Sequence, residues 1–345
     1  MNNQDINSQD INMSYLIPEL PRQIPPLGYA IQNIAMAIGA MATSTASFFF
    51  TLCIVLPLSF MRMFMPSSML THLGPNHQMN KRKVVLVIGG PRGIGARIIQ
   101  QYANDPETVI IAACKQMDDA KRIVEDVGTC KATVHPAELD IGGSKKVLAD
   151  VIQDLDSQYG PITHMYEVTG PSAYLKDSAT GSGLNTMSDM ISAHVTGTFV
   201  VVATTFELMR KRSYGKICIV GPNGMISYMS TKAFINTFAD SLRVLAAPCG
   251  IEVIVAQPGF LDGTLTKQMR SRGIMMPQGS YDSANTMAWK IKRAAESGGV
   301  GVVSWPLRHG VAMHSLKALN PICEEVARWG AMQMGMKKAG MKTVD

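Results

Sequence analysis

The stretch "VVLVIGGPRGIGARI" (residues 84–98) decides how the rest of the chain is read. Val84 to Ile88 form an apolar run of the length expected for a buried strand. Glycines follow at 89, 93 and 95, spaced GxxxGxG, and the residues after them open a helix over 94–103. Glycines in such a turn let backbone N–H groups approach an anion, and the N-terminus of the following helix adds a favourable dipole. Strand, glycine turn and helix in this order predict a phosphate-binding βα unit.

The alternation continues downstream. β-rich runs "TVIIAAC" (108–114), "KATVHPAEL" (131–139), "THMYEVTG" (163–170), "KICIVG" (216–221), "IEVIVAQPG" (251–259) and "GVVSW" (301–305) are separated by helical stretches at 117–127, 144–158, 187–212, 228–246 and 282–297. Strands alternating with helices predict an α/β fold, a doubly wound parallel sheet of the Rossmann type. Pro136 would break the ladder of a central strand. In the dinucleotide fold the third strand lies at the sheet edge, where proline is tolerated.

Upstream, no charged side chain occurs between Arg22 and Arg62. Within that interval "IAMAIGAMATSTASFFFTLCIVLPLSF" (34–60) exceeds the roughly 20 residues that a helix needs to cross a bilayer. It predicts a membrane-spanning segment over 27–65, either one tilted span or a hairpin bent near Gly39 to Ser47, with Pro57 aiding a re-entrant bend. The preceding polar tail (1–26) carries Asp5, Asp10 and Glu19, which suits neither a cleaved signal nor a mitochondrial presequence. Arg62, Lys81, Arg82 and Lys83 follow the segment, so the positive-inside rule puts the remainder on the cytosol-like side. A linker at 66–82 then leads to a soluble domain at 83–310 and a helical tail at 311–345.

With 46% apolar residues the chain can bury a sizeable core, which excludes a disordered protein. A balance of 32 basic to 26 acidic residues, without a block of like charge, gives nucleic-acid binding no specific support and suits a membrane surface better. The six cysteines show no CxxC spacing, so neither a metal site nor a disulfide framework is expected; they read as buried thiols in a reducing compartment.

Several motifs beyond the glycine turn resemble the short-chain dehydrogenase/reductase family, over about residues 83 to 305. The family's TGxxxGIG appears with Ile88 in place of threonine; "HVTGTF" (194–199), "YMSTK" (228–232) and "QPGFLDGT" (257–264) match NxxGxF, YxxxK and the segment that lies against the nicotinamide. Gly170 ends "EVTG" where the family has NNAG, and Asp140, followed by Ile141, matches the aspartate that contacts adenine. The resemblance implies a cofactor site formed by Gly89, Arg92, Gly93, Ile94, Gly95, Lys115, Asp140, Ile141, Gly170, Lys232, Pro258, Gly259 and Thr264. An acid at the end of the second strand would favour NAD(H). That end reads "AACK", and Lys115 together with Arg92 predicts NADP(H).

Tyr228 and Lys232 are four residues apart, so an ammonium can sit near a phenol. At about 5 Å and an effective dielectric of about 20, the attraction to a phenolate is about 3 kcal/mol, or about two pKa units. The family resemblance gives Tyr228 the role of proton donor to a carbonyl and Lys232 that of its tuner and ribose ligand. Two other positions depart from the family's tetrad. Pro222 stands where a serine holds the reacting oxygen, leaving Asn223 as the replacement and Ser227 as a poorer one. His194 stands for the family's asparagine and can relay protons.

Residues 265–281 fall where the family places a substrate lid, and Met269, Ile274, Met275 and Met276 would line it with soft apolar surface. The tail carries Ile322, Val326, Trp329, Met332 and Met336 at helical spacing, then Lys337, Lys338 and Lys342, a pattern for a membrane surface, a partner subunit or its own domain. Anchor and domain together look like the family's membrane-bound branch acting on keto-lipids and steroids. Two readings follow. The first is a membrane-anchored NADP(H)-dependent oxidoreductase for an apolar carbonyl or alcohol. The second is a non-catalytic subunit or scaffold of a membrane complex that retains the fold. By resemblance, a homodimer would pair through 187–212 and 228–246.

Overall fold

The structure, a computed structural model, describes residues 27–64, 82–170, 184–221, 226–259, 261–263, 266–267, 281–298, 301–307 and 310. It divides into two units, an N-terminal helical one and an α/β one.

In the N-terminal unit, α1 (Leu27–Phe50) runs through a widened π turn (Thr51–Val55) into α2 (Leu56–Phe64). Helix continues through Gly39 and Ser47, so the described residues form one run rather than a hairpin. Proline lacks an N–H, and its ring collides with the carbonyl four residues back in a regular helix. Pro57 is the second residue of α2, and the π turn directly before it, with Leu56 N–H bonded to Thr51 O, gives that ring room. Thr43 and Thr45 return their hydroxyls to the carbonyls of Gly39, Ala40 and Met41 at 2.8–3.0 Å, so these polar groups need no outside partner. Ile31–Met61 has a mean hydropathy of 1.8 and no buried residue. At 1.5 Å per residue this run is about 46 Å long, against about 30 Å of hydrocarbon.

The α/β unit holds β1 (Lys83–Ile88), α3 (Ile94–Tyr102), β2 (Thr108–Cys114), α4 (Met117–Val127), β3 (Thr133–Glu138), α5 (Lys145–Tyr159) and β4 (His164–Glu167). Then come α6 (Leu184–Ile191), a π turn (Ser192–Gly197), α7 (Thr198–Arg212), β5 (Gly215–Val220), α8 (Ile226–Ala246) and β6 (Ile251–Pro258). Short strands β7 (Leu261–Asp262) and β8 (Asp282–Ser283) pair with each other, followed by α9 (Ala284–Ser297) and β9 (Val302–Trp305). The main sheet has order β3-β2-β1-β4-β5-β6-β9 and every pairing in it is parallel. Pro136 sits in edge strand β3 opposite Ala112, as its chemistry requires.

Side chains alternate between the two faces. Val84, Leu86, Ile88 and Ile111 pack with Leu148 and Ile152 of α5, Val201 of α7 and Ile235 of α8. Val85, Val87, Ile110 and Tyr166 pack with Ile98 and Tyr102 of α3, Ile123 of α4 and Met287 and Ile291 of α9. Because both faces are covered, β2 is buried at every residue, and the strands read as apolar runs without polar alternation. The α6–α7 stretch Ser188–Arg212 is also long and apolar, with mean hydropathy 1.3, but much of it is buried against the sheet. Of the thiols, Cys114 and Cys218 are buried, and burial pushes the Cys114 pKa up to about 11. Cys130 and Cys249 are only partly buried and Cys53 is exposed on the apolar helix, which corrects the expectation that all were interior; Cys323 lies outside the described residues.

A polar pocket interrupts the second face. The hydroxyls of Tyr102 and Tyr166 meet at 2.7 Å, and burial raises both phenols. Beside them His164, 2% exposed, shares a hydrogen bond of 2.9 Å between Nδ1 and Thr163 Oγ1. Burial, with repulsion from Lys216 and Lys83, lowers its pKa to about 3. An unfolded histidine titrates near 6.5, so the stability that depends on neutral His164 is complete above that pH and is lost as pH falls toward 3. Resistance to urea should therefore decline by up to about 1.4 kcal/mol per unit between pH 6.5 and 5. His164→Gln should flatten that decline, as read from unfolding midpoints in the two proteins.

Candidate functional site

The strand order reverses at β1, which lies between β2 and β4. The loops leaving β1 and β4 diverge to opposite faces, and a crevice forms at the carboxyl ends of these strands. The glycine turn occupies it. Gly89 N–H donates to Ala113 O at 2.9 Å, holding the turn to the end of β2. Gly89 has φ +90, and a Cβ there would lie 2.7 Å from Thr169 Cγ2 and 2.8 Å from its Cα. A Cβ on Gly95 would overlap the Gly89 carbonyl, so α3 can pack this close only without a side chain at that position. Gly93 caps α3 at φ 72, with open space where a side chain would stand. Arg92 is exposed, Ile94 packs partly on the core, and the first turn of α3 carries no acid. The turn thus presents helix N–H groups and a positive dipole to an anion.

The neighbouring strand ends add charge. Leu139 N–H donates to Cys114 O at 2.7 Å, extending the β2–β3 ladder by one step. That step brings Lys115 Nζ to 3.1 Å from Asp140 Oδ2, while Asp140 Oδ1 accepts Gly142 N–H at 3.0 Å. Ile141 is buried, and Gly170 is exposed at the end of the β4 loop. Between them lies a feature that sequence reasoning noted only as a departure. Glu167, fully buried, accepts hydrogen bonds from both the backbone N–H and the hydroxyl of Thr169, which fixes the residue packed under Gly89. Its signal was a carboxylate at the end of a strand read as buried.

Farther along the crevice, Pro258 is buried and Gly259 N–H donates to Trp305 O at 2.7 Å. His194 is fully buried within the π turn between α6 and α7. A Cβ on Gly197, the last residue of that turn, would collide with the Ile141 carbonyl, so the turn is seated directly on the Asp140–Gly143 loop. Tyr228 and Lys232 lie one turn apart on α8, but their side chains, and Asn223, Pro222 and Thr264 altogether, lie outside the described residues. One turn beyond Lys232 is Asn236, whose buried Oδ1 has no hydrogen-bond partner among the described residues and would stand 3.2 Å from a Cβ on Gly221. Its i+4 spacing from Lys232 was the legible clue.

Crowding and backbone strain separate the glycines in a testable way. Gly95→Ala must displace a carbonyl and should cost about 1–3 kcal/mol, whereas Gly93→Ala meets only the unfavourable φ, about 1–2 kcal/mol. Urea unfolding of both variants should rank Gly95→Ala as the more destabilised.

A family model described as short chain dehydrogenase matches residues 83–273. A 3-oxoacyl-acyl-carrier-protein reductase of Aquifex aeolicus is 26% identical, the match covering 53% of this chain and 76% of the relative. An uncharacterised oxidoreductase of Myxococcus xanthus is 26% identical over 71% of this chain and 96% of its own. Among solved structures, an actinorhodin polyketide ketoreductase with NADPH superposes with a TM-score of 0.55 at 17% identity, covering 65% of this chain and 95% of that one. A short-chain dehydrogenase from Sphingobium yanoikuyae in complex with NADPH gives 0.56 at 17% identity, covering 73% and 95%. At these identities the structural likeness is one of fold.

Proposed function

The chain belongs to the short chain dehydrogenase family, and from that premise we propose that it is a membrane-anchored NADP(H)-dependent oxidoreductase acting on an apolar carbonyl or alcohol. The observation that carries the reading is the glycine turn, whose crowded backbone leaves the α3 N-terminus open to a pyrophosphate. Lys115, at the end of β2 where an acid would mark NAD(H), supports the choice of NADP(H). The NADPH in both solved relatives and the carbonyl substrates named for the two reductases point the same way.

When bound, the nicotinamide supplies or accepts the hydride. Tyr228 gives its proton to the carbonyl oxygen, and Lys232 favours the phenolate and so eases that transfer. Lys232 would also hold the ribose. Asn223 offers the hydrogen bond that Pro222 lacks, and His194, in the π turn above the Asp140 loop, belongs to the proton path. Pro258, Gly259 and Thr264 would hold the nicotinamide end. The methionines of 265–281 lie outside the described residues; their chemistry supports a lipid, steroid or long-chain keto substrate.

Pro222 favours the second reading, a subunit that keeps the fold without turnover, since one lost oxyanion donor costs about two to three decades of rate. One variant separates the two. Tyr228→Phe should abolish NADPH-dependent reduction of a long-chain ketone while NADPH still quenches tryptophan fluorescence; unchanged turnover would remove Tyr228 from the chemistry. A wild type that binds NADPH but reduces no carbonyl would favour the subunit reading.

The exposed apolar run of α1 and α2 supports the anchor, with the α/β unit on the cytosol-like side. Full-length protein should stay with membranes through an alkaline carbonate wash. Release into the supernatant would count against a spanning helix.

A further inference from the structure

Lys115 and Asp140 were expected to serve separate parts of the cofactor, one a phosphate and the other the adenine. The structure joins them at 3.1 Å, with side chains 55% and 43% exposed. Asp140 is the fixed member of the pair. Its Oδ1 holds Gly142 N–H at 3.0 Å and its own carbonyl holds Gly143 N–H at 2.8 Å, so the loop positions the carboxylate independently of lysine. Lys115 carries its charge on a flexible four-carbon stem. One half-exposed ion pair is too weak to impose an orientation on such a side chain. Its main effect is therefore on charge: a carboxylate stands beside Lys115, a cation that, with Arg92, would distinguish a 2′-phosphate from a 2′-hydroxyl.

We propose that Asp140 is a specificity-determining residue that acts through Lys115, as a built-in competitor for the 2′-phosphate that weakens the chain's preference for NADP(H) over NAD(H). The inference rests on the cofactor site proposed above. A 2′-phosphate must draw the ammonium away from, or share it with, Asp140, and it meets the carboxylate's repulsion as it does so. A cofactor with a free 2′-hydroxyl leaves the pair intact and meets neither cost. The Asp140 loop is also the one on which Gly197 and the π turn with His194 are seated, so the backbone that carries the carboxylate cannot withdraw without moving that contact.

The test is a titration of full-length, detergent-solubilised protein with NADPH, NADH and adenosine 2′,5′-bisphosphate, at low and at high salt. Asp140→Asn keeps an oxygen for Gly142 N–H and removes the charge. It should raise the NADPH-to-NADH affinity ratio about three- to tenfold, tighten the bisphosphate relative to NADH by a similar factor, and steepen the salt dependence of NADPH binding. In a Lys115→Met background, most of the gain from Asp140→Asn should vanish. A fall in the NADPH-to-NADH ratio on Asp140→Asn, or no change, overturns the proposal and leaves the cofactor site standing. So does a full gain that persists without Lys115, since Asp140 would then act on the phosphate directly. Failure of the wild type to bind either dinucleotide overturns both the cofactor site and this proposal.

Discussion

The constraint on which the crevice of the α/β unit depends is backbone against backbone at its first turn. Thr169 lies under Gly89, and the Gly89 carbonyl lies where a Cβ of Gly95 would be. Neither contact tolerates a side chain, and together they set how near α3 approaches the ends of β1 and β4. The carboxyl-end crevice depends on that approach, since the helix N-terminus can face an anion in the crevice only if α3 begins directly at the strand end. Glu167 serves the same constraint from below. A fully buried carboxylate is costly unless it is hydrogen-bonded, and here two of its bonds hold Thr169.

Elements governed by local chemistry were legible in the sequence. The strand Val84–Ile88 announced itself by composition, the turn by its glycines, and β3 by a proline that only an edge accepts. Features set by distant residues were not. The stretch 187–212 reads as one helix, yet it is interrupted at Ser192–Gly197 because Gly197 must pack against the Ile141 carbonyl, a contact no periodicity encodes. The meeting of Lys115 with Asp140 follows from one extra rung of the β2–β3 ladder, and register between strands is invisible in either strand alone. The Tyr102–Tyr166 pair was hidden for the same reason, being assembled from a helix and a strand that the sheet brings together.

The N-terminal unit obeys a different rule. In α1 and α2 the hydroxyls of Thr43 and Thr45 turn back on their own helix and Pro57 is absorbed by a π turn, so these polar groups are satisfied within the segment. A segment surrounded by hydrocarbon needs just this self-sufficiency. The core helix Ser188–Arg212 passes a similar hydropathy test, but its apolar residues are spent on the sheet. Hydropathy alone does not separate the two; burial does.

The two ends of the crevice are built from different materials, and that difference governs how far each can drift. The phosphate end is made of backbone: glycines that meet either a neighbouring backbone, as Gly89 and Gly95 do, or a positive φ, as Gly93 does, together with a helix N-terminus and strand ends. The reacting end proposed for the crevice rests on side chains, Tyr228 and Lys232 on α8 and His194 in the π turn, and side chains can be exchanged while the fold persists. Pro222 in place of a hydroxyl is such an exchange. A chain under selection for the fold and the nucleotide alone would keep the first set and lose the second. Tyr228 and Lys232 at helical spacing, one turn before the buried amide of Asn236, are therefore what supports the proposed proton transfer.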